Sequence, residues 1–180
     1  MSYCEFTKDL EENHLDKKYH DKRYGFPTKN DDELFGRLIL EINQAGLSWS
    51  LMLKKEENFK EAFDDFSIRK VAQYGETKIE ELMNNAGIIR NRRKIEAVIY
   101  NANQIIDIQN KNGSFKLWLD QFIGYSLIEW TELFKKSFKF TGEKIVEEFL
   151  MSTSYLKGAH DENCPIYNEI KNSKPKWETN

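Results

Sequence analysis

Residues 31–49 read DDELFGRLILEINQAGLSW, and the fold turns on them. Leu34, Leu38, Ile42 and Ala45 recur at helical spacing, and Phe35 and Ile39 widen the apolar stripe. Asp31 or Asp32 is expected to cap the helix by accepting backbone N–H bonds. Gly46 follows the last periodic residue and is placed to stop it. Glu41 borders the apolar face, three after Leu38 and four before Ala45, in line with Arg37, Gln44 and Ser48. Two readings of Glu41 stand side by side. One is a solvated polar seam with an Arg37–Glu41 pair worth about 0.2–0.5 kcal/mol. The other is a functional carboxylate.

The rest of the chain is consistent with a helical, soluble protein. Its 180 residues are 39% hydrophobic, 13% aromatic and 32% charged, a globular rather than a disordered composition. The formal net charge of −3 does not announce nucleic acid, so any basic footprint has to be local. No apolar run approaches a membrane span and no secretory h-region opens the chain. The expectation is a cytoplasmic monomer with no membrane partner. Three prolines and nine glycines suit helices better than hairpins, and no segment alternates with period two. An all-α single domain over 1–180 is expected.

Taken in order, residues 1–30 read as an irregular packed segment with one short helical turn. Ser48 is placed to cap a second helix, Ser67 one over 68–74, and Thr77 one over 79–84. A long helix begins near Arg90 and carries Ile95, Val98, Ile99, Ala102, Ile105 and Ile106 on one face. Shorter helices follow over 115–123, over 127–136 and from near Thr141–Gly142. The tail after about residue 168 is expected to fray.

Three features carry chemistry. In 82–95, LMNNAGIIRNRRKI, Gly87 supplies the positive φ of a tight helix-to-helix turn. Arg90, Arg92, Arg93 and Lys94 gather cations where a new helix exposes its first N–H groups. Such a hairpin grips a DNA backbone without reading sequence; an ordinary αα-hairpin with a solvated charge run is the plainer reading. Second, Cys4 and Cys164 are the only cysteines, with His20 and His160 nearby in sequence. Two thiolates and two imidazoles make a closed tetrahedral zinc site. A disulfide or two unrelated thiols are the alternatives, the disulfide being disfavoured in a reducing compartment. Third, Phe6, Tyr19, Tyr24 and Trp49 are aromatic walls for a flat cationic heterocycle facing Glu41, or simply core.

Together these blocks resemble the DNA-3-methyladenine glycosylase I family of helix-hairpin-helix glycosylases. The resemblance runs from Cys4 to Cys164, densest in YHDKRYGFP, LEINQAGLSW, LKKEENFKEAFDDFSIRKVA, NAGIIRNRRKIEAVIYNA and AHDENC. It implies a helix-hairpin-helix fold that flips a nucleotide from alkylated double-stranded DNA, hydrolyses the N-glycosidic bond and releases free 3-methyladenine. By position it implies Cys4, His20, His160 and Cys164 as ligands of one structural zinc per chain. Glu41 matches the base-facing carboxylate and the catalytic position. Tyr19 and Trp49 match pocket aromatics, Phe6 stands where tryptophan is usual, and Gly87, Arg90, Arg92, Arg93 and Lys94 match the backbone-binding hairpin. The chain departs from the pattern in a short 122–138 segment and in Glu147 and Glu148. A catalytically weak DNA-binding or lesion-sensing module of the same fold is the alternative function.

Overall fold

The computed structural model describes residues 1–179 and contains no strand among them. Its helices are α1 (Tyr3–Thr7), α2 (Leu15–Lys22), α3 (Asp31–Gln44), α4 (Trp49–Ala62), α5 (Ile68–Val71), α6 (Glu76–Asn84), α7 (Arg92–Asn112), α8 (Phe115–Asp120), α9 (Leu127–Ser137), α10 (Glu143–Ser152) and α11 (Tyr167–Asn172).

Helix α3 is the axis of the molecule. Leu34, Phe35, Leu38, Ile39, Leu40 and Ile42 are all fully buried, so the helix is covered on every side. It packs against α4, α5, α7, α8 and α10. Each such side chain contributes about 1.5–3 kcal/mol when taken from water. The helix stops where expected: Gly46 adopts φ +84, a backbone conformation that favours glycine.

Its start differs from the sequence reading. Asn30, not Asp31 or Asp32, caps α3 by accepting from Glu33 N at 2.9 Å. The two aspartates serve other helices. Asp31 accepts from Phe115 N and Lys116 N at 2.8 and 3.0 Å, at the N-terminus of α8. Asp32 accepts from Ile68 N at 3.1 Å, at the N-terminus of α5. Ser67 makes no side-chain cap there, and Gly75 rather than Thr77 precedes α6. One turn of α3 thus ties together three helix ends, whose free N–H groups need acceptors.

The long helix α7 buries Ile95, Val98, Ala102 and Ile105 against the same core. The rings of Phe115, Trp118, Trp130, Phe134 and Phe138 extend that core beneath α8 and α9. Residues 1–30 hold two helices rather than one turn. Ser2 closes a capping box with Glu5, and the His14 ring accepts from Asp16 N. The tail does not fray at residue 168. Helix α11 runs to Asn172, Ile170 is buried, and Trp177 N donates to Ser154 O at 3.1 Å. No helix of the described residues is long and apolar enough to cross a membrane.

Candidate functional site

A cavity of about 700 Å³ opens between α1, α2, α3, the start of α4 and α10. Tyr3, Tyr19, Tyr24, Glu41, Trp49 and Glu148 line it. The rings form a continuous wall: Tyr19 and Trp49 have centroids 5.1 Å apart, Tyr19 and Tyr24 5.7 Å, and Tyr3 meets Tyr24 edge-on at 5.4 Å. Of the aromatics singled out from sequence, Tyr19, Tyr24 and Trp49 line the cavity. Phe6 does not. It is 41% exposed and stacks on Tyr3 at 6.1 Å, so Tyr3 takes the wall position that sequence reasoning missed. No local signal marks Tyr3, which enters the wall only because α1 folds over α2.

Glu41 is not part of a solvated seam. It is 4% exposed, on the cavity side of α3. No hydrogen bond to its carboxyl is made by the described residues. Arg37 turns away from it, donating to Tyr19 Oη at 3.0 Å and to Arg23 O at 3.2 Å, with its guanidinium 5.2 Å from the Tyr19 ring centroid. Burial, then the negative charge of Glu148, push Glu41 up to about 8, against the pull of Arg37. Glu148 is raised by burial as well, while a 3.2 Å hydrogen bond from Tyr24 Oη opposes the rise. The cavity wall therefore carries a carboxyl that changes charge near neutral pH, beside aromatic faces. That combination suits a flat cation.

Behind the wall lies the Cys/His cluster. Cys4 Sγ, His20 Nε2, His160 Nδ1 and Cys164 Sγ all lie within 4.8 Å of one another. The sulfur–nitrogen separations are 3.3 Å (Cys4–His20), 3.7 Å (Cys4–His160), 3.8 Å (Cys164–His20) and 3.6 Å (Cys164–His160). The cysteines are not joined in a disulfide. Each ring is oriented from behind: His20 Nδ1 lies 2.6 Å from Asp21 Oδ1, and His160 Nε2 donates to Tyr24 O at 2.8 Å. Burial pushes His160 down to about 4, leaving the neutral, ligating form of the ring. The four residues can hold a metal ion, and they tie α1 and α2 to the 159–164 turn.

The 82–95 hairpin is built differently from the sequence expectation. Gly87 does not have a positive φ. The turn is closed by Asn85 Oδ1, which accepts from Gly87 N at 2.8 Å. Gly87 O in turn accepts from Lys55 Nζ at 3.2 Å and Asn58 Nδ2 at 3.3 Å. Asn91 caps α7 through Lys94 N, so the helix begins at Arg92 rather than Arg90. The cation cluster also disperses. Arg92 pairs with Glu76, Glu80 and Glu96. Lys94 is buried and donates to Asn43 O at 3.2 Å and Ala45 O at 3.5 Å, closing the C-terminal carbonyls of α3. Among the described residues only Arg90 and Arg93 of the four stay exposed and unpaired.

Comparison with known proteins finds relatives of the same fold. A family described as methyladenine glycosylase matches residues 9–167. A DNA-3-methyladenine glycosylase of Haemophilus influenzae is 33% identical over 166 residues, which cover 82% of this chain and 89% of that protein. DNA-3-methyladenine glycosylase 1 of Escherichia coli is 33% identical over 168 residues, covering 83% and 89%. Among solved structures, 3-methyladenine DNA glycosylase I from Staphylococcus aureus, a study of 3-methyladenine recognition, superposes with a TM-score of 0.79 at 32% identity, over 87% of this chain and 93% of that one. A tyrosine-to-phenylalanine variant of 3-methyladenine DNA glycosylase I in complex with 3-methyladenine gives 0.81 at 31% identity, over 92% and 97%. The family match takes in Tyr19, His20, Glu41, Trp49, the hairpin, His160 and Cys164 but begins after Tyr3 and Cys4, and this chain belongs to the methyladenine glycosylase family.

Proposed function

We propose that this protein is a DNA-3-methyladenine glycosylase: it flips the damaged nucleotide out of alkylated double-stranded DNA, seats the base in the cavity over α3 and hydrolyses its N-glycosidic bond, releasing free 3-methyladenine. The observation that carries this is Glu41, a buried carboxyl with no hydrogen-bond partner among the described residues, facing a cavity walled by tyrosines and a tryptophan. Methylation at N3 makes the base cationic and weakens its bond to the sugar, so the site needs no strong general acid. Trp49 and Tyr19 offer faces to the ring, and Glu41 offers charge where the cation sits, a preference that a desolvated site strengthens. Water then adds to the developing oxocarbenium carbon, and the base leaves with the bonding electron pair. The test is release of free 3-methyladenine from methylated duplex DNA by the purified protein. No release above a protein-free control overturns the reading.

Zinc, one per chain, is our assignment for the Cys4–His20–His160–Cys164 cluster. Bonds of about 2.3 Å to sulfur and about 2.0–2.1 Å to nitrogen give tetrahedral sulfur–nitrogen edges of about 3.6 Å, and the four separations straddle that length. Four protein ligands leave no open position, so the role is structural. For DNA we assign a helix-hairpin-helix grip to the Gly87 turn, with Arg90 and Arg93 as its free cations. The protein is expected to act as a single-domain monomer over 1–180, in the cytoplasm.

A further inference from the structure

Helix α10 turns one seam to the cavity. Ile145, Glu148 and Met151, each three residues from the next, all line it, while Val146, Phe149 and Leu150 face the core. Glu148 thus places a second carboxyl in the cavity, between two apolar neighbours. Its one hydrogen bond among the described residues comes from Tyr24 Oη at 3.2 Å. It makes no ion pair: Lys144, the cation closest in sequence, pairs with Glu147 at 2.8 Å. Arg37 likewise donates to Tyr19 Oη and Arg23 O rather than to Glu41, its Nε having no hydrogen-bond partner among the described residues. One cavity therefore holds two carboxyl groups, and neither makes an ion pair among the described residues, although Arg37 and Lys144 attract them from a distance.

We propose that Glu148 is a specificity-determining residue: with Glu41 it forms a two-carboxyl clamp that makes the cavity select cationic N-alkylated purines over neutral ones. This rests on the glycosylase reading above. Two acids in one desolvated space do not both ionise readily. The charged and titratable groups around them are Tyr3 and Cys4 on α1, Tyr19 on α2, Tyr24, Arg37 on α3, Lys144 and Glu147 on α10, and Asp161. The three tyrosines are all raised by burial and stay neutral, so they add aromatic faces without charge. Burial and the negative charge of Glu148 oppose ionisation of Glu41, and a cation seated between the two carboxyls favours it. A monocationic ring that offers an N–H donor meets the carboxylate, while a neutral purine leaves that charge buried and uncompensated.

Two probes of nearly the same shape separate charge from fit: the 3,9-dimethyladeninium ion, which is permanently cationic, and neutral 9-methyladenine. Each is titrated calorimetrically into the wild-type protein, Glu148→Gln and Glu147→Gln. Glutamine keeps an oxygen to accept from Tyr24 but removes charge. We expect the preference for the cation to fall about tenfold in Glu148→Gln and to hold in Glu147→Gln, whose side chain lies outside the cavity lining. Carboxyl ¹³C titration adds a readout that a merely structural role would not move: the Glu41 midpoint falls toward the ordinary carboxyl range in Glu148→Gln. An unchanged preference or an unmoved Glu41 midpoint overturns the assignment of Glu148. A wild-type protein that releases no base from methylated DNA, yet shifts its Glu41 midpoint in the variant, overturns the glycosylase reading instead.

Discussion

In the Cys4–His20–His160–Cys164 cluster four ligand atoms converge within 4.8 Å, whereas the cations of 90–94 point different ways. The cluster draws its members from 160 residues of chain; the cations are neighbours. The difference follows from geometry. Successive residues on a helix are about 100° apart, so Arg92, Arg93 and Lys94 cannot share a face. Arg92 meets the acids of α6 and α7, Lys94 turns inward to α3, and Arg93 is left to solvent. A ligand cluster has no such constraint, because each member comes from a different element and is oriented separately. Sequence adjacency marks a charge, but only packing decides which charge is free.

The sharpest way to break the comparison is at the cluster. Replacing His160 by alanine removes one ligand and the hydrogen bond to Tyr24 O. Because metal binding and folding are coupled, we expect loss of bound zinc and a destabilisation of roughly 4 kcal/mol or more. Elemental analysis and denaturant unfolding measure the two. A chelator should lower the wild-type melting temperature toward the variant's and leave the variant's unmoved. Full stability without metal would return the cluster to four unrelated side chains.

Glu41 comes next, and here the direction with pH is diagnostic. The folded protein keeps the Glu41 proton up to about 8, while the unfolded chain releases it near 4.5. The folded state binds more protons across that window, so this group makes stability fall as pH rises from about 4.5 to about 8. Glu41→Gln has no such penalty. We expect the variant to match the wild type near pH 4 and to exceed it by roughly 2–4 kcal/mol at pH 8, in urea titrations at each pH. The same variant should lose about 1–3 kcal/mol of affinity for the cationic base. A more stable protein that binds worse is the signature of a functional buried carboxyl; a solvated Arg37–Glu41 seam predicts neither change.

What was legible follows the same division. The α3 stripe over Leu34, Leu38 and Ile42, the Gly46 stop, the Ser48 cap of α4 and the α7 face are local patterns, and each stands where it was read; Ala45, read as the last of the stripe, is instead the exposed C-cap of α3. The caps at Asp31 and Asp32 went wrong because their partners, Phe115 and Ile68, are distant in sequence. Helices α1 and α2 were missed because they are short, polar and held by contacts with each other and with α4. Glu41 was legible as a carboxyl at the edge of an apolar face, but its burial was not, since that depends on α10 closing over it. Glu148 stood out as a departure from the family pattern; that it lines the cavity needed the packing of α10 on α3.

The hairpin supplies a smaller effect. Arg90→Gln and Arg93→Gln should each weaken duplex binding for every sequence and reduce the salt slope by about one. Arg92→Gln should change that slope little, since its guanidinium is committed to Glu76, Glu80 and Glu96. Fluorescence anisotropy over a salt series separates the three. An equal loss in all three variants would show that DNA recruits Arg92 out of its ion pairs.

The smallest effect is at Gly87, and it tests why a glycine stands in the turn. A positive φ would make any side chain strained there, whatever the space. The observed φ is not positive, so the constraint is proximity. A Cβ on Gly87 would lie 3.0 Å from Asn85 Oδ1 and 3.2 Å from Asn58 Cβ and Cγ, both on side chains able to shift a few tenths of an ångström. Alanine should therefore cost less than about 1 kcal/mol, offset in part by the stiffer unfolded chain. Gly36 is the contrast: a Cβ there would meet the Phe66 ring at 2.5 Å inside the core, and alanine should cost about 1–3 kcal/mol by overpacking. If Gly87→Ala proves as damaging as Gly36→Ala in urea unfolding, the backbone of the turn rather than the room around it is what glycine protects. If it is mild in stability yet weakens duplex binding, the methyl group blocks the close approach of a phosphate, and the turn itself belongs to the DNA surface.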